Sequence, residues 1–160
     1  MARDGADEGY AAWLDAFQAN ALVAGALERR LRECFGLALA DYEVLVRLAE
    51  VPEGERLRMQ DLARKVFLSK SGLSQLFTRL ERKGLVERRG DPENLRVTHA
   101  ALTEEGRELL GHAMPEFQEE IEERFAGHLT EGEMRTLRRA MGKVIGALGE
   151  ERLSSWAAGD

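Results

Sequence analysis

The sequence predicts a mainly α-helical chain carrying one small β-hairpin, with long helices at both ends. Three observations predict it. Apolar residues recur at three- and four-residue steps over most of the length, the spacing of a helix with one buried face. Helix-starting hydroxyls stand at Ser69, Thr103 and Thr130, each ahead of an amphipathic run. Between residues 85 and 102 two short runs flank Gly90-Asp-Pro-Glu-Asn94, which is the composition of a turn.

Tyr10 to Phe35 reads as a long helix, with Trp13, Phe17, Ala21, Ala24, Leu27 and Leu31 along one stripe and Gly36 as its stop. Leu39 to Glu50 repeats the pattern through Tyr42, Leu45, Val46 and Ala49. Asp41 is placed to cap it or to lie in its first turn, and Pro52 to Gly54 ends it. Leu57 belongs to a short strand. Gln60 to Val66 is a short helix with Leu62, Ala63 and Val66 inward, followed by a turn at Phe67 and Leu68. Ser69 caps a helix that runs to Arg82 or Lys83 and stops at Gly84.

Leu85 to Arg89 and Leu95 to Leu102 read as the two strands of the hairpin. Thr103 caps a helix reaching Leu129, with Leu110, Met114, Phe117, Ile121 and Phe125 on one side and a kink expected at Pro115. Thr130-Glu-Gly-Glu133 is a capping box that opens the last helix. There Met134, Leu137, Met141, Val144 and Leu148 form a coiled-coil-like seam, and so amphipathic a helix at a chain end calls for a partner.

Composition narrows the function. No run approaches the 18 apolar residues of a membrane span, and the first residues carry acids where a secretory leader is basic, so a cytoplasmic protein is expected. Cys34 is the single cysteine, which excludes an internal disulfide and a cysteine-based zinc site. His99, His112 and His128 form no i, i+4 ligand pair. No nucleophile–base pairing, Gly-rich phosphate loop or paired ligand set is present, so neither an enzyme, a cofactor nor a metal is expected. The net charge of −6 conceals an asymmetry: residues 55–96 hold 11 Lys and Arg against 6 Asp and Glu, a balance of +5, leaving −11 for the rest. A basic middle between acidic ends suits a face that meets phosphate.

The helix from Ser69 sharpens this. Leu73, Leu76, Phe77 and Leu80 occupy its inward side. Ser71, Ser74, Gln75, Thr78 and Arg82 are related by i+3 and i+4 steps and share the outer face, with Lys70 and Arg79 beside them. Short hydroxyls let a helix approach a groove, Gln can bridge adenine, and Arg can bridge guanine or clamp phosphate. The unpaired N–H groups behind Ser69 add an anion site.

The ordered set Leu57-Arg-Met-Gln-Asp-Leu-Ala-Arg64, Leu68-Ser-Lys-Ser-Gly-Leu-Ser-Gln75, Arg79-Leu-Glu-Arg-Lys-Gly-Leu-Val-Glu-Arg88, Gly90-Asp-Pro-Glu-Asn-Leu-Arg96 and Leu102-Thr-Glu-Glu-Gly106 resembles the MarR (multiple antibiotic resistance regulator) family. The resemblance implies a winged helix-turn-helix lobe over residues 39–103, flanked by dimerisation helices at 10–35 and 104–153. It implies a homodimeric transcriptional regulator, a repressor, that sets two recognition helices into a pseudo-palindromic duplex site. Carried over by position, Ser69, Lys70, Ser71, Ser74, Gln75, Thr78, Arg79 and Arg82 are groove candidates, and Arg88, Arg89 and Arg96 are wing candidates. The family's wing commonly reads Asp-Pro-x-Asp-Arg-Arg. Asn94 and Leu95 depart from it, so a weakened wing tip is expected.

The resemblance also implies a small-molecule effector, an aromatic ligand or an oxidant that releases the DNA. Trp13, Phe17 and Tyr42 are the candidates for lining its pocket, although helix-spaced aromatics read first as core. Cys34, beside Glu33 with Arg30 and Arg32 nearby, is expected to be a partly buried and inert thiol rather than a sensor. An interaction module that has lost DNA binding is the alternative reading.

Overall fold

The computed structural model describes the backbone of residues 2–53, 55–94 and 96–157, and the side chains of 7–53, 55–94 and 96–149. Gly54 and Leu95, named above as a helix end and a wing departure, lie outside the described residues. Residues up to Ile121 form one compact unit and those from Glu122 a second.

Six helices and three strands follow in the order α1 (Ala2–Phe35), α2 (Leu39–Ala49), β1 (Leu57–Arg58), α3 (Met59–Lys65), α4 (Lys70–Arg82), β2 (Val86–Gly90), β3 (Thr98–Leu102), α5 (Glu104–Arg124) and α6 (Glu131–Ala157), with a 3-10 turn at Ala126–His128. The winged helix-turn-helix lobe is therefore present, with β1 joining the hairpin as an edge strand. The sheet is antiparallel in the order β1-β3-β2, and its register sets Val86 opposite Leu102, Arg89 opposite His99, and Arg58 opposite His99 on the other side. β3 begins at Thr98 rather than Leu95, because Arg96 and Val97 are used to close the wing.

The first unit's core is built from the inward residues of every element. Leu27 and Leu31 of α1, Val44, Leu45 and Leu48 of α2, Leu62 of α3, and Leu73, Phe77 and Leu80 of α4 are all buried, as are Leu110 and Ala113 of α5. Only the C-terminal half of the α1 stripe is enclosed. Trp13 and Phe17, expected as core, are 59% and 57% exposed, and they stack on each other at 5.6 Å. Helical periodicity marks a face, and nothing in the described residues up to Ile121 closes over the first half of this one.

Local caps set the joints. Gly36 and Gly84 take positive φ after α1 and α4, as helix-terminating glycines do. Phe67 takes the same left-handed conformation in the turn before α4, with its ring exposed. The Thr103 hydroxyl accepts from Gly106 N at 3.0 Å and donates to the Gly84 carbonyl at 2.6 Å, binding the start of α5 to the end of α4. Gly106 is needed there, since a Cβ would stand 2.1 Å from the Leu85 carbonyl oxygen. Pro115 is accommodated inside α5.

In the second unit the helix expected to reach Leu129 ends at Arg124 instead, and Ala126–His128 tightens into the 3-10 turn. The capping box forms: Thr130 N donates to Glu133 Oε2 at 2.8 Å, and Glu133 N donates to Thr130 Oγ1 at 3.3 Å. The bond from Thr130 N, and a second from the Thr130 hydroxyl to Glu133 Oε2 at 2.7 Å, favour the ionised carboxylate and lower the Glu133 pKa. On α6, Met141, Val144, Ile145 and Leu148 remain exposed.

Candidate nucleic-acid interface

α4 is seated as its pattern dictates. Ser69 Oγ accepts from Gly72 N at 3.0 Å, satisfying one of the orphan N–H groups of the first turn. With Leu73, Leu76, Phe77 and Leu80 buried, Lys70, Ser71, Ser74, Gln75 and Arg82 are left exposed. Thr78 is half-buried and its hydroxyl donates to the Ser74 carbonyl at 2.9 Å, so its hydrogen is already used.

Lys70 and Ser74 open onto a cleft of about 360 Å³ whose other walls are Arg58, Met59 and Gln60 at the start of α3 and Arg88, Arg96, Val97 and Thr98 of the wing. Four cations, Arg58, Lys70, Arg88 and Arg96, thus converge on one concavity. Arg58 and Gln60 were not singled out in the sequence. Their place depends on β1 pairing with β3, which sets Arg58 opposite His99, and a two-residue strand gives too little pattern to predict that register.

The three wing arginines do different things. Arg88 turns inward: its guanidinium pairs with Glu81, donates to the Ser74 carbonyl at 3.1 Å and to Thr78 Oγ1 at 3.3 Å, and lies 5.1 Å from the centre of the Phe77 ring. It braces the wing against α4 and is not a free wing-tip cation. Arg89 pairs with Glu87 and lines a separate cavity with Arg56, Arg107, Glu53 and Glu55. Arg96 is exposed beside the cleft. Arg79, a groove candidate by the family resemblance, donates to Asp41 of α2 at 2.5 Å.

The wing tip is closed by the expected turn residues together with His99, which the sequence did not place there. Asp91 accepts from His99 Nε2 at 2.8 Å, from Glu93 N at 2.8 Å and from Asn94 N at 3.0 Å. The His99 bond first, then the two backbone N–H groups, hold the Asp91 carboxyl down at about 2. Asn94 Oδ1 accepts from Arg96 N at 3.1 Å, and Asp91 N donates to the Val97 carbonyl at 3.0 Å. Asn94, named above as a departure at the wing tip, thus takes part in closing the tip. His99 is buried, and its Nδ1 has no hydrogen-bond partner.

The effector candidates are not assembled into one pocket. Tyr42 is buried and stacks on Phe117 at 4.2 Å, whereas Trp13 stacks on Phe17 and lies tilted against Tyr10 on the exposed part of α1. Burial raises the Tyr42 phenol pKa. Cys34 is exposed, which corrects the expectation of a partly buried thiol; it lies on the outer side of the last turn of α1, while Leu31 takes the inner side. Among the described residues no group of three or more His, Cys, Asp or Glu is positioned to hold a metal, and no helix is long and apolar enough to cross a membrane.

Residues 35–96 match the model of the MarR family. The fold is similar to that of AbsC, a MarR family transcriptional regulator from Streptomyces coelicolor, with a TM-score of 0.82 and 35% identity over 89% of this chain and 95% of that one. A second MarR family regulator of the same organism, solved in complex with DNA, superposes with a TM-score of 0.83 and 32% identity, covering 89% of this chain and 88% of the other. CouR from Rhodococcus jostii RHA1, solved bound to p-coumaroyl-CoA, gives 0.69 and 28% over 79% and 86%.

Proposed function

The chain belongs to the MarR family of transcriptional regulators, and from that premise we propose that it represses transcription as a homodimer that seats two copies of α4 in a pseudo-palindromic duplex site. The supporting observation is the four-cation cleft beside the exposed Ser71, Ser74 and Gln75. Cations at that cleft neutralise phosphate while the hydroxyl and amide side chains reach base edges. Ser69 to Gln75, with Arg82 and Arg96, carry the contact. Arg88 contributes by holding the wing on α4.

Homodimerisation is supported by apolar surface on the terminal helices taken one at a time. Tyr10, Trp13, Phe17 and Leu22 are exposed on α1, and Val144, Ile145 and Leu148 on α6. A second subunit would remove such surface from water. Release by an aromatic effector is supported by the capture of p-coumaroyl-CoA by CouR and by the free Trp13–Phe17 stack. Tyr42 is already committed to Phe117. An exposed Cys34 leaves an oxidant as the alternative releasing signal.

A salt titration on random-sequence duplex tests the core of this reading. Binding should weaken linearly in log–log form, with a slope of about −0.9 for each phosphate neutralised. No binding at low salt would sink it and favour an interaction module instead. Selection of bound fragments from the source genome then supplies the operator, whose half-site spacing should be about one helical turn.

A further inference from the structure

Asp41 is 1% exposed, the most enclosed charged side chain among the described residues. Its carboxylate joins α2 to α4 through three partners. Oδ2 accepts from Ala38 N at 3.0 Å at the start of α2, Oδ1 accepts from Arg79 Nη2 of α4, and Lys83 Nζ, at the end of α4, stands 4.0 Å away. Lys83 also donates to the Gly36 carbonyl at 2.7 Å. The last turn of α4 is thereby tied to the joint between α1 and α2.

Burial makes this tie unequal. A carboxylate out of water is strongly unfavourable unless its charge is met, so drawing Arg79 away to a phosphate would strand Asp41. A surface carboxylate such as Glu87 re-enters water when its arginine leaves; Asp41 cannot. Arg79 is half exposed and stands on the helix that reads DNA, yet its charge is already spent.

We propose that Asp41 is a positioning residue for DNA recognition, which holds Arg79 off the phosphate backbone and confines contact to the N-terminal half of α4 and the wing. This rests on the DNA-binding reading above, which it deepens by assigning Arg79 to the scaffold and not to the duplex.

The test uses the full chain and a random-sequence duplex, with the slope of log affinity against log salt as the readout. Asp41→Asn should free Arg79 and steepen the slope by about 0.9, roughly a further threefold loss of affinity between 50 and 200 mM salt. The double variant D41N/R79A should return to the wild-type slope. A merely structural role for Asp41 weakens binding without adding a phosphate contact, so a slope that stays the same or becomes shallower in a D41N protein that still melts cooperatively overturns the inference. If D41N does not fold, Arg79→Ala alone decides. An unchanged slope supports the tie, and a slope shallower by about 0.9 means that Arg79 already touches phosphate and overturns it. No binding by the wild-type protein overturns the DNA reading itself, and the inference with it.

Discussion

Single side chains at the ends of elements do most of the positioning in this lobe. Ser69 accepts a first-turn N–H of the reading helix, and Ser69→Ala should lower stability by about 1 kcal/mol, read as a fall in Tm. Asp91 makes the wing sensitive to acid. Its folded carboxyl sits at about 2 against an ordinary 3.8, so its contribution is complete above about pH 4 and is lost as the pH falls towards 2. Amide exchange of residues 91–97 should accelerate over that window, and Asp91→Asn should abolish the dependence. Ser69 was legible in the sequence because a cap acts over three residues. The internal partners of Arg79 and Arg88 were not legible because they lie far off in sequence: Asp41 is 38 positions away, and Ser74, which Arg88 also bonds, is 14. Spacing on one helix cannot report an acceptor carried by another.

Elements were more legible than their junctions. Turn composition located the hairpin, and apolar periodicity located the helices, since burial of one face is what that periodicity records. It overran the end of α5, which stops at Arg124 where a 3-10 turn begins. It also missed how the wing attaches to α4. Arg88 makes that attachment through Glu81, Ser74 and Thr78, so Arg88→Ala should weaken duplex binding while α4 itself stays folded; unchanged affinity for random duplex would refute the brace. The packing of α5 on Leu85 and Leu102 leaves no room for a side chain at residue 106. Gly106→Ala is expected to destabilise by about 1–3 kcal/mol, the range of forced overpacking, in a denaturant melt.

At the scale of the molecule, charge and exposed apolar surface are distributed by task. The basic balance of residues 55–96 was visible in the sequence, but the structure divides it: Arg58, Lys70, Arg88 and Arg96 line the cleft, whereas Arg79 pairs with Asp41 and Arg89 with Glu87 away from it. The aromatic run on α1 was read as core because periodicity does not say which chain supplies the other side. If a second copy covers it, Trp13→Glu should shift the protein from dimer to monomer in light scattering and lower a Tm that rises with protein concentration in the wild type. A monodisperse dimer of W13E with unchanged Tm would place the interface elsewhere.

Thr103 gives the lobe a lever. Its hydroxyl joins the Gly84 carbonyl, 19 positions earlier, to the first turn of α5, and Gly106 presses the same turn onto Leu85. The end of α4 and the start of α5 therefore meet at one joint. A tilt of α5 at its root would bear directly on Gly84 and Leu85, the residues that follow α4.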